Sequence, residues 1–420
     1  MLFAVLARVA LVVVFLQASI GGAQRADSTY HDHLAAARAS APAAAREHLL
    51  RALALLHGHP DVFYLLARNA AAMGQRDAAV GYLRTIGAMG LAYDVDGDSA
   101  LALVSRHPGM AGVRTMMGLN RLPVGHAKPV ATLDDADLLT EDVAYDPVER
   151  TFYISAIHRR KIIALKDSAW TTFDTTSLAP MALVVDARRR SLWVSFAGMP
   201  QASGHQPSDS ARSGVLQYDL TTRKLTHRYD LPIDGAQHVL GDMTLDTAGN
   251  AIVSDGAGGG VYFVDRRAQT LSALVPPGIL ESPQNPAVAT DGRILVADYA
   301  MGVAIVDPET HAVTWIAHAD TVAMNGIDGM YLVGHVLYGI QNGTSPERVT
   351  RFVLDPTLRR VVDWSVVERA TPGFGDPTHG VVVGDQFYFI ANSGWDRFAD
   401  DGHITNPKGT PPRLERTKLE

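Results

Sequence analysis

Two hydrophobic rhythms divide the chain. From residue 27 to about 120, apolar side chains recur at the three- and four-residue spacing of helices, as in "AREHLLRALALLHGHPDVFYLLARNAAAMGQRDAAVGYLRTI". Within that stretch Leu65, Leu66, Ala70, Gly74, Ala78, Tyr82 and Leu83 put small residues where two antiparallel helices would approach, with Gly-Gln-Arg-Asp as the turn between them. From residue 129 the pattern becomes short runs of Val, Ile, Leu, Tyr and Phe broken by Asp, Gly, Asn and Pro, which is the pattern of strands and turns.

Six segments of the second region align. They are "EDVAYDPVERTFYIS" from Glu141, "MALVVDARRRSLWVS" from Met181, "GDMTLDTAGNAIVSD" from Gly241, "QNPAVATDGRILVAD" from Gln284, "DGMYLVGHVLYGIQN" from Asp328 and "THGVVVGDQFYFIAN" from Thr378. Each reads as an apolar strand, a polar turn and a second apolar strand. Most are followed by a third strand ending at an aspartate: Asp219, Asp265, Asp307 or Asp355. The longest interval contains the polar insertion "GMPQASGHQPSDSARSG". A multi-strand unit repeating every 40 to 50 residues or so is the signature of propeller blades. The expected fold is therefore mainly β: a six-bladed β-propeller over residues 129–420, preceded by a small all-helical region over 27–120. Blade six shows only two strands of its own, and "RLERTKL" near the C-terminus and "PVATL" before blade one are the segments expected to complete it. That closure would leave no open sheet edge.

Composition narrows the function. The chain is 47% hydrophobic and 19% charged with a net charge of −7, and no Lys/Arg-rich stripe with interleaved aromatics is present, which excludes an extended nucleic-acid surface. The basic runs His158-Arg159-Arg160 and Arg188-Arg189-Arg190 read as solvated turns. The first residues, "MLFAVLARVALVVVFLQASIGGAQ", carry one Arg, an apolar stretch from Val9 to Leu16 and small residues at Gly21 and Ala23, the pattern of a secretory signal over residues 1–23. Its apolar run is short for a membrane span, so the expected location is the bacterial periplasm or beyond, with no membrane span after cleavage. The chain has no cysteine, which excludes disulfides and thiol chemistry and leaves stability to packing alone.

The candidate chemistry lies where the innermost strands of a propeller begin, because those positions look into the mouth of the central channel. They are Glu141 and Asp142 in blade one, Asp242 in blade three, Asn285 in blade four, Asp328 in blade five, and Asp376 with His379 in blade six; blade two offers only Met181 and Ala182. Three or four oxygen ligands gathered in this way suit a hard divalent cation, Ca²⁺ most naturally, with Zn²⁺ or Mn²⁺ as alternatives. Lacking a counter-charge, such carboxylates would repel one another and hold their protons more tightly. Asp94, Asp96 and Asp98 are spaced as in a calcium loop. An EF-hand, however, needs Gly at its sixth position and Glu at its twelfth, and this stretch has Gly97 fourth and Ser105 twelfth, so it reads as a helix-capping loop. No Gly-x-Ser-x-Gly elbow, His-Glu-x-x-His or Walker loop occurs.

With its six repeats, "EDVAYDP" in blade one and "DGMYL" in blade five, the chain resembles the SMP-30/gluconolactonase/LRE-like proteins, relatives of paraoxonase and strictosidine synthase, over residues 130 to 400. In that family a Glu five residues before an Asp-Pro, as Glu141 is before Asp146-Pro147, binds the catalytic divalent metal, and so does the Asp of a later Asp-Gly-Met, as in Asp328-Gly329-Met330. The resemblance thus implies that Glu141 and Asp328 are metal ligands. The family's third ligand is an Asn followed by Gly, whereas blade four has Asn285-Pro286, and Asn325-Gly326 stands in the loop leading to Asp328. Asp242 and Asn285 also stand one residue later in their strands than Glu141 and Asp328, a slip that in a regular strand turns a side chain to the opposite face.

The function expected from these readings is a metal-dependent hydrolase of a small lactone or ester. Glu141 and Asp328, then Asn285 and Asp242, would serve as ligands, and His379 as the base. The alternative is an exported, non-enzymatic propeller that binds a protein, peptide or glycan. The helical region, which resembles one tetratricopeptide-type unit, would then offer a protein partner a second surface. Trp395 in "NSGWDRFADDG" would either stack on a ligand at the rim or seal blade six.

Overall fold

The computed structural model describes residues 29–419; the expected export signal lies outside them. The described residues open with helices α1 (Tyr30–Ala39), α2 (Pro42–Leu55), α3 (Pro60–Ala72), α4 (Arg76–Ala88) and α5 (Met110–Asn120). Their starts are chemically marked. Thr29 and Asp32 form a reciprocal capping box at α1, and α2 and α3 each open on a proline, whose missing N–H costs nothing in the first turn. Helices α3 and α4 are the antiparallel pair expected from the sequence, broken at Gly74 in the left-handed conformation (φ +71°). Leu66, Ala70 and Leu83 are buried between the helices as expected, but Gly74 and Ala78 are exposed, and Ala67, Ala71 and Ala79 are the small buried residues instead. The helical phase is thus shifted by one residue in α4. In the following loop Asp94 accepts from Gly97 N, Asp98 caps a short turn at Ala100 N, and Asp96 pairs with Arg114, so these aspartates serve the backbone and an ion pair.

Strand β1 (Lys128–Thr132) comes next, followed by five blades in chain order. Blade one is β2 (Thr140–Asp146), β3 (Thr151–Ala156), β4 (Lys161–Lys166) and β5 (Ala169–Thr175). Blade two is β6 (Ala179–Asp186), β7 (Ser191–Ala197), β8 (Ser213–Asp219) and β9 (Lys224–Asp230). Blade three is β10 (Leu240–Leu245), β11 (Ala251–Asp255), β12 (Gly260–Asp265) and β13 (Thr270–Val275). Blade four is β14 (Pro283–Val288), β15 (Ile294–Asp298), β16 (Gly302–Val306) and β17 (Val313–Trp315). Blade five is β18 (Ile327–Val333), β19 (Val336–Gln341), β20 (Arg348–Leu354) and β21 (Val361–Arg369). The sixth sheet has the order β1-β24-β23-β22, with β22 (Gly380–Val383), β23 (Gln386–Asn392) and β24 (Arg413–Lys418) from the C-terminal end. Lys128 pairs with Arg416 and Thr132 with Arg413 in antiparallel register, so "PVATL" and "RLERTKL" close the ring as the sequence suggested. The aspartates at the third-strand ends cap the next turn: Asp219 accepts from Thr222 N, Asp265 from Ala268 N, Asp307 from Thr310 N and Asp355 from Arg359 N.

The helical region is seated on blades four and five. Ala92 N donates to Ser345 O (2.8 Å), Arg348 Nη1 to Met89 O (2.7 Å), and Arg369 Nε to Leu122 O (3.1 Å). Ala300 and Ala323, from loops of blade four and its exit, are buried within the two helical cores. Arg348 is fully buried; Gln341 Oε1 accepts from its Nε (2.8 Å), and its guanidinium lies over Trp364. Burial lowers its pKa to about 9. Gly90 turns directly above this group at φ +77°, where a Cβ would stand 2.8 Å from Arg348 Nη1.

The closing strand should carry much of the ring's stability. Leu414 of β24 is fully buried between Ile154, Ile163 and Ile390 in one core cluster. Leu414→Ala is expected to lower the unfolding free energy by about 2–5 kcal/mol in urea denaturation. A smaller loss would mean that closure does not depend on this contact.

Candidate metal centre at the propeller mouth

The site is built from one irregularity repeated around the ring. In β2, Thr140 pairs with Ala156 and Val143 with Ile154, so Glu141 and Asp142 together face the single residue Ser155. The same extra residue occurs at Met181-Ala182 in β6, Gly241 in β10, Gln284-Asn285 in β14 and Asp328-Gly329 in β18. These are β-bulges, which bend a strand and re-aim its side chains. In blades one and two the amide that the bulge takes out of the ladder finds a serine on the second strand: Asp142 N donates to Ser155 Oγ and Ala182 N to Ser195 Oγ, both at 2.9 Å. Because of the bulges, the one-residue offset of Asp242 and Asn285 does not throw them onto the far face. They occupy the second bulge position, shared with Asp142, while Glu141 and Asp328 occupy the first. Gly329 is required by close approach, since a Cβ there would lie 2.8 Å from Thr378 O.

Three of the residues singled out from the sequence meet at one point. Glu141, Asp328 and His379, from blades one, five and six, each present a potential ligand atom, and those atoms all lie within 4.8 Å of one another. His379 Nδ1 is 3.9 Å from Glu141 Oε1, and its Nε2 is 4.0 Å from Asp328 Oδ1. Asp242 comes in through the histidine, with Oδ1 in ion-pair contact with His379 Nε2. The contact lacks hydrogen-bond alignment, and Asp242 Oδ1 and both ring nitrogens are buried without a hydrogen-bond partner. All four side chains are almost wholly out of solvent.

The remaining candidates stand apart. Asp142 is held by its neighbours' backbone: Val143 N and Leu183 N each donate to one of its oxygens at 2.7 Å, which staples blade one to blade two. Asn285 lines a central channel of about 560 Å³ that runs along the inner strands toward Val288, Val333 and Val382, and Asp142 and Tyr331 line it too. Asp376 accepts from Ser393 Oγ (2.9 Å) and Asp396 N (3.1 Å) and so shapes the loop after β23.

Burial governs the electrostatics. It pushes Glu141 well above the usual carboxylate range, and the nearby Asp328 adds to this. Burial likewise raises Asp142 and Asp328 to about 7, in each case against the opposing influence of His379. For His379 burial acts downward, yet Asp242 and Asp328 outweigh it and hold the imidazole well above its ordinary value. Burial also raises the Tyr331 phenol far above its ordinary value; its oxygen accepts from Gly380 N (2.6 Å).

Two further contributors hold the ligand carboxylates: Trp395, expected from the sequence only as a stacking or sealing residue, and Asn342, which the sequence did not single out. Trp395 Nε1 donates to Glu141 Oε2 at 2.5 Å, so this indole is neither a free stacking platform nor only a plug for blade six. Asn342 Nδ2 donates to Asp328 Oδ2 at 2.6 Å and its Oδ1 accepts from Tyr299 OH at 2.9 Å. Both lie in loops, where no periodicity marks a residue as facing the site. The Asn342-Gly343 pair directly after β19 is the local sign of a turn there.

Comparison with known proteins adds little beyond architecture. No family model matches the chain. The uncharacterized protein YncE of Salmonella typhi is 24% identical over 232 residues, covering 52% of this chain and 60% of that protein, so the match spans less than two thirds of its relative. The same protein from Salmonella typhimurium matches equally. Among solved structures, a gluconolactonase from Xanthomonas campestris overlays with TM-score 0.47 at 14% identity, covering 71% of this chain and 97% of that one. The PQQ-bound aldose sugar dehydrogenase of Streptomyces coelicolor overlays with 0.48 at 11%, covering 70% and 99%. Virginiamycin B lyase from Staphylococcus aureus overlays with 0.43 at 10%, covering 70% and 99%. Gluconolactonases are thus among the structural neighbours, but likenesses this distant carry no argument about activity. Among the described residues no helix is long and apolar enough to cross a membrane.

Crowding four buried carboxylates should cost stability that a change of charge recovers. Asp328→Asn keeps an acceptor for Asn342 and removes one negative charge, so in chelator its melting temperature should equal or exceed that of the wild type. Added divalent cation should then raise the melting temperature of the wild type and leave the variant unmoved. A variant that melts well below the wild type in chelator would show that the charges do not oppose one another there.

Proposed function

We propose that this protein is a divalent-cation-dependent hydrolase of a lactone or related ester, with its site at the mouth of the propeller. The observation that carries this reading is the convergence of Glu141, Asp328 and His379 from three blades, with Asp242 against the imidazole. The donor set fits a cation: two carboxylates and an imidazole, buried, with Asp242 Oδ1 and both ring nitrogens lacking hydrogen-bond partners.

Glu141 and Asp328 are assigned as oxygen ligands, with Asp242, in contact with His379, next to complete the shell. Two carboxylates with water suit Ca²⁺, while direct ligation by His379 would favour Zn²⁺ or Mn²⁺. When bound, the ion supplies Lewis acidity toward an acyl carbonyl oxygen. The chain's own residues handle the proton. His379, its Nε2 set against Asp242 Oδ1, takes a proton at Nδ1 from the attacking water and returns it to the departing ring or ester oxygen. Water oxygen bonds to the acyl carbon, the acyl C–O bond breaks, and a lactone leaves as its hydroxy acid. Blade two contributes no polar side chain at this level, since Met181 and Ala182 pack into the cores between blades. The reading also takes the protein to be exported to the periplasm or beyond.

Calorimetric titration of Ca²⁺, then Zn²⁺ and Mn²⁺, into chelator-treated protein tests the centre. Micromolar or tighter binding is expected in the wild type and none in Asp328→Ala. A panel of lactones and aryl esters should then show cation-dependent turnover that falls by about 10²–10⁴-fold in His379→Gln, the range typical of a lost general base. Absence of any cation binding by the wild type would overturn the proposal.

A further inference from the structure

The two assigned ligand carboxylates have their oxygens in different company. In Glu141, Oε1 is the oxygen 3.9 Å from His379 Nδ1, while Oε2 accepts from Trp395 Nε1 at 2.5 Å. In Asp328, Oδ1 is the oxygen 4.0 Å from His379 Nε2, while Oδ2 accepts from Asn342 Nδ2 at 2.6 Å. The pattern is the same twice, although Trp395 lies in the loop after β23 and Asn342 in the loop after β19. In each carboxylate one oxygen is tied back by a neutral N–H donor and the other is turned toward the shared centre.

We propose that Trp395 and Asn342 are positioning residues of the mouth site, which fix Glu141 and Asp328 as single-oxygen ligands by holding the second oxygen of each. This rests on the metal-centre reading above. The choice of donor is chemically apt. A carboxylate hydrogen-bonded to an indole or a carboxamide keeps its full negative charge for a cation, whereas a Lys or Arg in the same place would neutralise it and repel the ion. Leaving Oε2 and Oδ2 unbound would let each group rotate about its last side-chain bond, and an unconstrained ligand pays ordering entropy on binding.

Both donors are themselves anchored. Asn342 is oriented by Tyr299 OH, and its loop is pinned three residues later by the Ala92 N–Ser345 O bond to the helical region. Trp395 is followed by Arg397, which is fully buried. Arg397 donates from Nε to Asn406 O (3.1 Å), from Nη2 to Asp137 Oδ1 (2.9 Å) and from Nη1 to Ala136 O, fastening the loop across blade one. The indole packs beside Met181 and Leu139 in one apolar cluster. The helical region thereby gains a role within this site: it buttresses the loop that carries Asn342.

The test uses the full-length, chelator-treated protein and its Trp395→Phe and Asn342→Ala variants, titrated with Ca²⁺ and Mn²⁺ by calorimetry while tryptophan emission is recorded. Each variant should bind the ion about 10–100-fold more weakly, the usual cost of losing an outer partner of a ligand. In the wild type, emission should change with the same midpoint as the heat, because saturation alters the indole's bond to Glu141. That change should vanish in Trp395→Phe and persist, at higher cation concentration, in Asn342→Ala. Wild-type affinity in both variants, or an emission change that survives in Trp395→Phe, would overturn the assignment while leaving the metal centre intact. No binding by the wild type would overturn both. Far-UV circular dichroism and thermal melting report whether Trp395→Phe is folded. If it is not, Asn342→Ala, on a separate loop, decides alone, and unchanged affinity in it counts against the proposal.

Discussion

A cluster of buried negative charge at the start of the inner strands is the feature around which the rest of the structure is arranged. Glu141, Asp242 and Asp328 surround one imidazole, with Asp142 a short way below, and such a group cannot ionise freely away from water unless something positive sits among it. Within the protein, His379 stands in that place, where Asp242 and Asp328 favour its charged form against the opposing effect of burial. A divalent ion would do the same with twice the charge. Hydrogen bonds from Trp395, Asn342, Val143 and Leu183 distribute what remains over four different segments. Each of these donors is neutral, which preserves the attraction for a cation.

The scaffold turns this concentration of charge into defined geometry. Sheets alone would alternate side chains between the channel and the packing between blades, so adjacent residues such as Glu141 and Asp142 would point apart. The repeated bulge changes that locally, and in blades one and two the serine opposite accepts from the amide it frees. The helical region contributes at a distance. By seating Met89, Ala92 and Leu122 on residues of blade five, it fixes the loop and strand ends on one side of the mouth.

How much of this was readable beforehand follows from where each feature is encoded. Blades were legible because alternating apolar runs and turn residues recur along the chain, and even the shared sixth blade followed from "PVATL" and "RLERTKL". Glu141, Asp328, Asp242 and His379 could be listed because polar residues stood where the strand pattern began. Their mutual arrangement could not be read, because a bulge leaves no compositional mark and a strict period of two sets Asp242 on the wrong face. The same limit applies to Ala78, where helical spacing alone misjudged the buried side of α4 by one residue. Trp395 and Asn342 were beyond periodicity altogether, since loop residues acquire partners only through the tertiary fold.

The closure of the ring by β1 and β24 has a temporal meaning. Five blades consist of neighbouring hairpins that can pair as they are made, but Lys128 must wait for Arg416, which follows all five of them in sequence. The site shares that delay, because Glu141 belongs to the first blade and His379 to the one that closes last. The charge cluster is therefore complete only once the sixth sheet has joined the two ends of the ring, so ring closure and site assembly are one event.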